Sequence, residues 1–261
     1  MSKATVNGVK INYRLEGTYN GEAVMLSHSL ASNLEMWDPQ VPALVEKGFR
    51  VLRYDIRGHG GSDIPPGPYT MEMLADDATA LLDSLEIEKV HFCGLSMGGM
   101  IGQLLGARSP GRLISLILSS TSAYMPPPHL WNERIEAVRK GGMESVADAT
   151  IDRWFTGKGR KQIPERVKAI KDLILATPPE GFCACCEAIR DMDLRDVIPD
   201  ITVPTMVIVG SLDPGTPVSA AEYICSRIES SRLKVISDAA HFVNVEHPEA
   251  FNEELVGFLS P

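Results

Sequence analysis

Gly94-Leu95-Ser96-Met97-Gly98 directly follows the apolar run Val90-His91-Phe92-Cys93 and opens a helical pattern over 97–108. A G-x-S-x-G sequence at a strand-to-helix junction holds a serine in a sharp turn with its Oγ exposed, because glycines without Cβ let the strand and helix approach closely. Met97 then presents a backbone N–H at a helix N-terminus, where a developing oxyanion is stabilised. At average usage of ~7% each for Gly and Ser, the pattern alone arises by chance in roughly one chain of this length in ten. It needs partners.

A nucleophilic serine requires a base to take its proton and a carboxylate to orient that base. In a strand–helix topology of this kind the chain order is serine, acid, histidine, each beyond the carboxyl end of a strand. Gly210-Ser211-Leu212-Asp213 follows the apolar run 205–209, and Ser237-Asp238-Ala239-Ala240-His241 follows the run 233–236. Ser96, Asp213 and His241 therefore form the candidate triad. Asp213-Pro214-Gly215 also reads as an ordinary turn, and Asp238 is a competing acid. It lies only three residues before His241, too local to orient the ring from its far side. The loop Ser27-His28-Ser29-Leu30 follows the run 23–26 and should carry the second oxyanion donor. Leu30 N–H is the candidate by position, paired with Met97 N–H. His28 shapes that loop, and His59, His91, His129 and His247 read as structural. The stretch 55–62 reads as a hydrogen-bonded loop bracing the site.

The elements that must position these groups are legible as alternating runs. Asn7-Gly8 between two short alternating segments predicts a β-hairpin with a type I′ turn. The apolar runs 23–26, 50–54, 90–93, 113–118, 205–209 and 233–236 predict buried parallel strands. Helical patterns at 71–85, 97–108, 220–228 and 250–259 separate most of them, which implies right-handed crossovers and a doubly wound, mostly parallel α/β sheet. From 123 to 195 no strand is expected, only amphipathic helical stretches punctuated by Pro126-Pro127-Pro128 and Pro178-Pro179. The expected organisation is a core in two parts, 1–122 and 196–261, with a helical cap insertion at 123–195.

Composition narrows the function. The chain has 261 residues, 44% of them hydrophobic, which is enough for one substantial core. No apolar run approaches the ~18 residues of a membrane span, and the N-terminus lacks the apolar region of a signal peptide. Five cysteines, an odd count, favour reduced thiols and a cytoplasmic location. Cys183-Ala184-Cys185-Cys186 lacks paired C-x-x-C spacing and nearby histidines, so it reads as small helix residues and no metal is expected. A net charge of −9 argues against nucleic acid. The same charge repels anionic substrates, so any anion must be recognised by local arginines. The expected partner is a small-molecule lactone or ester, and the composition is compatible with self-association.

These residues together resemble the α/β-hydrolase family over nearly the whole chain, and within it the 3-oxoadipate enol-lactonases. The closer resemblance rests on Ser29-Leu30 through Met36-Trp37-Asp38-Pro39-Gln40, on 94–103, and on Trp131-Asn132-Glu133-Arg134-Ile135. The insertion adds Arg153-Trp154-Phe155-Thr156 and Cys186-Glu187-Ala188-Ile189-Arg190-Asp191. The chain departs from the family's usual pattern at His28-Ser29, at Val243 and at the Pro214-Gly215 turn. The resemblance implies opening of 3-oxoadipate enol-lactone to 3-oxoadipate without metal or organic cofactor. It implies that His241 deprotonates Ser96 for attack on the lactone carbonyl, with the oxyanion held by Leu30 and Met97. The substrate's side-arm carboxylate then suggests a role for Arg134. Trp131 and Arg134, three apart, share a helix face; Arg134 would grip the carboxylate while Trp131 and Trp154 shelter the ring. The alternative for Arg134 is a solvated surface residue. The competing functions are a broad carboxylesterase, a cofactor-free perhydrolase and a slow-turnover small-molecule receptor. A haloalkane dehalogenase is disfavoured, since that chemistry uses aspartate where this chain has Ser96.

Overall fold

The computed structural model describes residues 2–259; Met1, Ser260 and Pro261, the outermost residues of the two expected core segments, lie outside them. The chain opens with a hairpin of β1 (Ser2–Val6) and β2 (Val9–Gly17). Asn7 and Gly8 both have positive φ, 49° and 77°, as a type I′ turn demands. The sheet is completed by β3 (Ala23–Ser27), β4 (Arg50–Tyr54), β5 (Val90–Leu95), β6 (Leu113–Ser119), β7 (Thr205–Gly210) and β8 (Ser231–Ile236). The strand order is β1-β2-β4-β3-β5-β6-β7-β8, antiparallel at β1–β2–β4 and parallel from β4 through β8. β3, β5 and β7 are buried along their whole length, because helices cover both faces of the sheet. β8 corrects the sequence reading. Among the described residues it pairs only with β7, at the sheet edge, and most of its residues are partly or fully exposed.

The helices α1 (Val41–Glu46), α2 (Met71–Ser84) and α3 (Met97–Arg108) lie in the first half of the chain. Thr70 caps α2, accepting a hydrogen bond from Met73 N–H. α3 is buried almost all round, since it runs over the middle of the sheet. Between β6 and β7 stand α4 (Pro128–Gly141), α5 (Glu144–Trp154), α6 (Gly157–Gln162), α7 (Pro164–Ala176) and α8 (Pro179–Asp191). Pro128 and Pro179 are the first residues of their helices, where a missing N–H costs nothing and a fixed φ is already helical. The only strand-like feature in this segment among the described residues is a single antiparallel bridge, Tyr124 to Asp193. Beside it Leu194 N–H donates to Ala123 O at 2.8 Å, so the segment leaves and re-enters the core through one pinned neck. α9 (Val218–Arg227), α10 (Val243–Glu246) and α11 (Pro248–Leu259) complete the chain. Among the described residues, no helix is long and apolar enough to cross a membrane. All five cysteines are free, and Cys183, Cys185 and Cys186 are buried in α8.

Candidate active site

Ser96 lies between β5 and α3 with φ 56° and ψ −112°, a conformation that L-residues rarely adopt. The flanking glycines explain how the turn closes. A Cβ on Gly94 would collide with the Gly98 carbonyl, and one on Gly98 with the Ser27 carbonyl at the end of β3. Backbone bonds hold the turn: Ser96 N–H donates to Ser119 O at 2.9 Å, and Thr121 Oγ1 donates to Ser96 O at 2.8 Å.

The loops after β7 and β8 meet beside it. Ser211 N–H donates to Ile236 O and Leu212 N–H to Ala239 O, both at 2.9 Å, tying the two loops together. Asp213 Oδ2 lies 2.8 Å from His241 Nδ1, with the carboxylate fully buried. The turn at Asp213-Pro214-Gly215 serves both readings at once. Gly215 N–H and Thr216 N–H donate to Asp213 Oδ1 at 2.9 and 3.0 Å, and Thr216 Oγ1 donates to Oδ2 at 2.7 Å. Burial alone would raise the Asp213 pKa, but His241 and the Thr216 hydrogen bonds outweigh it and hold the carboxyl below its usual range. Asp238 stands apart from this arrangement. It is exposed, and its carboxylate faces Lys158 at 3.6 Å.

The loop after β3 is built around two buried histidines. His28 Nδ1 donates to Ser29 O at 2.7 Å, and His28 Nε2 accepts from Ile56 N–H at 2.9 Å. His59 Nε2 accepts from Ala31 N–H at 3.1 Å. Burial lowers the pKa of His28 to about 4 and, with His28 adding to it, that of His59 to about 3, so both rings are neutral at pH 7. Asp55 braces the same loop, its Oδ1 accepting from Leu34 N–H and its Oδ2 from Gly61 N–H, both at 2.8 Å. This leaves the N–H of Leu30 and the N–H of Met97 without a protein acceptor among the described residues, while their neighbours at Ala31 and Gly98 are bonded.

One cavity is lined by Leu30, Ser96, Trp131, Arg134, Trp154 and His241, so it gathers the sequence-derived candidates from both halves of the core and from the 123–195 segment. Asp213, behind His241, and Met97, buried at the start of α3, do not line it. Trp131 is buried, its indole N–H donating to Met125 O at 3.0 Å, and the Arg134 guanidinium sits 4.7 Å above its ring. Arg134 is half-buried against this ring, and burial lowers its pKa from the ordinary value. Trp154 stacks on Phe242 at 3.9 Å between ring centroids, and Phe242 N–H donates to Trp154 O at 2.9 Å.

Three contributors escaped sequence reading. Thr216 completes the acid's hydrogen bonds, and the pattern D-x-x-T is the signal that would have found it. Arg153 lines the cavity opposite no acid. Glu246 is buried and accepts from Ala240 N–H at 2.8 Å, Thr156 N–H at 2.8 Å and Thr156 Oγ1 at 2.7 Å. It thereby ties the loop of His241 to the end of α5, across contacts that no local pattern announces.

Comparison with known proteins places this geometry. The family model for the alpha/beta hydrolase fold matches residues 22–151. The chain is 38% identical over 248 residues to 3-oxoadipate enol-lactonase 2 of Acinetobacter baylyi, covering 95% of this chain and 92% of that protein. It is 35% identical to enol-lactonase 1 of the same organism, covering 97% and 94%. The crystal structure of the enol-lactonase from Burkholderia xenovorans superposes with a TM-score of 0.97 at 41% identity, over the full length of both chains. The chain belongs to the α/β-hydrolase family, and 3-oxoadipate enol-lactonases are among its relatives.

Proposed function

We propose that this protein opens 3-oxoadipate enol-lactone to 3-oxoadipate through an acyl-enzyme. The observation that carries the reading is the meeting of Ser96, His241 and Arg134 on one cavity, in a chain of this similarity to enol-lactonases. His241, oriented by Asp213, takes the Ser96 proton as Oγ attacks the ring carbonyl. The tetrahedral oxyanion is held by the Leu30 and Met97 N–H groups, which have no acceptor of their own. The ring C–O bond breaks and its oxygen leaves as an enolate; as the enolate takes a proton on carbon and becomes a ketone, His241 gives up the proton it took from Ser96 and is neutral again. That conversion removes the tethered nucleophile and so discourages re-closure of the ring. Water, deprotonated by His241, then releases the product and restores Ser96. Arg134 binds the substrate's side-arm carboxylate, Trp131 and Trp154 cover the ring, and residues 123–195 act as a cap over the 1–122 and 196–261 core. The five free cysteines favour a reducing, cytoplasmic compartment.

The test follows loss of the lactone and appearance of 3-oxoadipate while Ser96 is titrated with a phosphonylating reagent. Turnover should fall in proportion to labelled Ser96 and survive chelation. Full turnover after complete labelling would overturn the reading.

A further inference from the structure

Elsewhere in this fold a buried guanidinium has a carboxylate. Arg53 is held by Glu16 and Asp38, and Arg57 by Asp77. Two half-buried arginines on the cavity have none among the described residues. Arg153 makes one hydrogen bond among the described residues, Nη2 donating to Thr150 Oγ1 at 3.2 Å within its own helix. Arg134 rests on the Trp131 ring and pairs with no acid among the described residues. No Asp or Glu lines the cavity that both arginines share with Ser96 and His241. Burial and the nearby Arg134 push the Arg153 pKa down to about 10. Two partly desolvated like charges without a counter-ion among the described residues carry a cost that a bound anion relieves. The chain's net charge of −9 sharpens the point, since only local cations offset it here.

We propose that Arg134 and Arg153 form one carboxylate subsite, and that through it the protein also hydrolyses linear half-esters of six-carbon dicarboxylic acids. The inference rests on the serine-hydrolase reading above. Opening the enol-lactone leaves on Ser96 a linear six-carbon acyl chain that ends in a carboxylate. A half-ester of adipic acid delivers an acyl chain of the same length and charge. Ser96 Oγ bonds to the acyl carbon as the acyl–alkoxide bond breaks, and the serine proton passes through His241 to the departing alcohol. Water then attacks the acyl-enzyme, gives one proton through His241 to Ser96, and releases the dicarboxylate.

The experiment compares kcat/KM for monoethyl adipate with that for ethyl hexanoate, which carries a methyl in place of the carboxylate. Wild type should prefer the half-ester by about tenfold or more, and Arg153→Gln and Arg134→Gln should each lower that ratio by about tenfold, as loss of a charge-assisted hydrogen bond requires. Arg153→Lys should retain part of the preference, and the ratio itself cancels any loss of folded protein. Equal rates on the two esters in wild type, or an unchanged ratio in both Arg153 variants, would overturn the inference. Opening of enol-lactone measured on the same preparations separates the readings. A lactonase indifferent to the half-ester's carboxylate refutes the subsite alone. A strong half-ester preference without lactone opening supports the subsite and refutes the lactonase.

Discussion

At the carboxyl ends of the strands, the side chains around the candidate triad already have their partners, and the Leu30 and Met97 N–H groups are left open. Asp213 accepts three hydrogen bonds besides its contact with His241, and the two histidines beneath the Leu30 loop are bonded, buried and neutral. In the helices above it, Arg134 and Arg153 face the same cavity with no acid to balance them. The strand ends are preorganised, so they lose little to reorganisation when charge develops in the transition state. The helices hold two cations that an anionic ligand would balance. The proposed roles put chemistry and selection on separate parts of the chain, so substitutions should separate them as well.

The largest effects should fall on the strand ends. Ser96→Ala and His241→Ala should each lower kcat by roughly three or more orders of magnitude with the fold intact, read by steady-state assay and circular dichroism. Asp213→Asn should do the same, and Asp238→Asn should not. A folded Asp213→Asn enzyme with near-normal turnover beside an inactive Asp238→Asn would transfer the acid's role.

Acid should strike the same ends. His28 and His59 have folded pKa values of about 4 and about 3, below the 6.5 of a free histidine. The unfolded chain therefore binds more protons in this window. Stability is fully present above pH ~6.5 and falls as pH drops towards 4 and then 3, by roughly 3 kcal/mol or more per histidine. Asp213, whose carboxyl is held below its usual range, adds a loss that begins as pH falls through that range and grows below it. Urea titrations at stepped pH check the slope between 6.5 and 4. A flat profile there would mean that these rings are charged in the fold.

The cap should respond in kind rather than in degree. Arg134→Ala should reduce the ratio of kcat/KM for enol-lactone to that for a neutral aryl ester by about ten- to a hundred-fold, the cost of about 1.5–3 kcal/mol for a hydrogen bond to a charged group. Equal losses on both substrates would place Arg134 in general packing instead. The smallest effect belongs to the tie between the two regions. Glu246→Gln puts an amide donor against the N–H and O–H donors of Ala240 and Thr156, and should cost about 1–2 kcal/mol of unfolding free energy. A denaturant midpoint equal to wild type would show that the tie adds nothing to stability.

The two regions also differ in how far a sequence discloses them. The strand ends follow local rules: apolar runs mark strands, Gly94 and Gly98 flank a turn that tolerates nothing larger, and the triad sits just beyond them. The hairpin at Asn7-Gly8 and the strandless stretch 123–195 were legible for similar reasons. The exposure of β8 was not, since an apolar run does not reveal which strand lacks an outer neighbour. Short helices such as α1 and α10 offer too few turns for a period to emerge. Arg153 and Glu246 acquire meaning only from tertiary contacts, and the partners of Glu246 at Thr156 lie ninety residues away.

A serine hydrolase fitted to one anionic lactone must discriminate against neutral esters. The most direct measurement of this is kcat/KM for enol-lactone beside that for a simple aryl ester, on one wild-type preparation. The lactone should be preferred by about a hundredfold or more, from a charge-assisted carboxylate contact together with ring contacts made in the transition state. An aryl ester turned over as fast as the lactone, or faster, would contradict it and make the protein a general carboxylesterase.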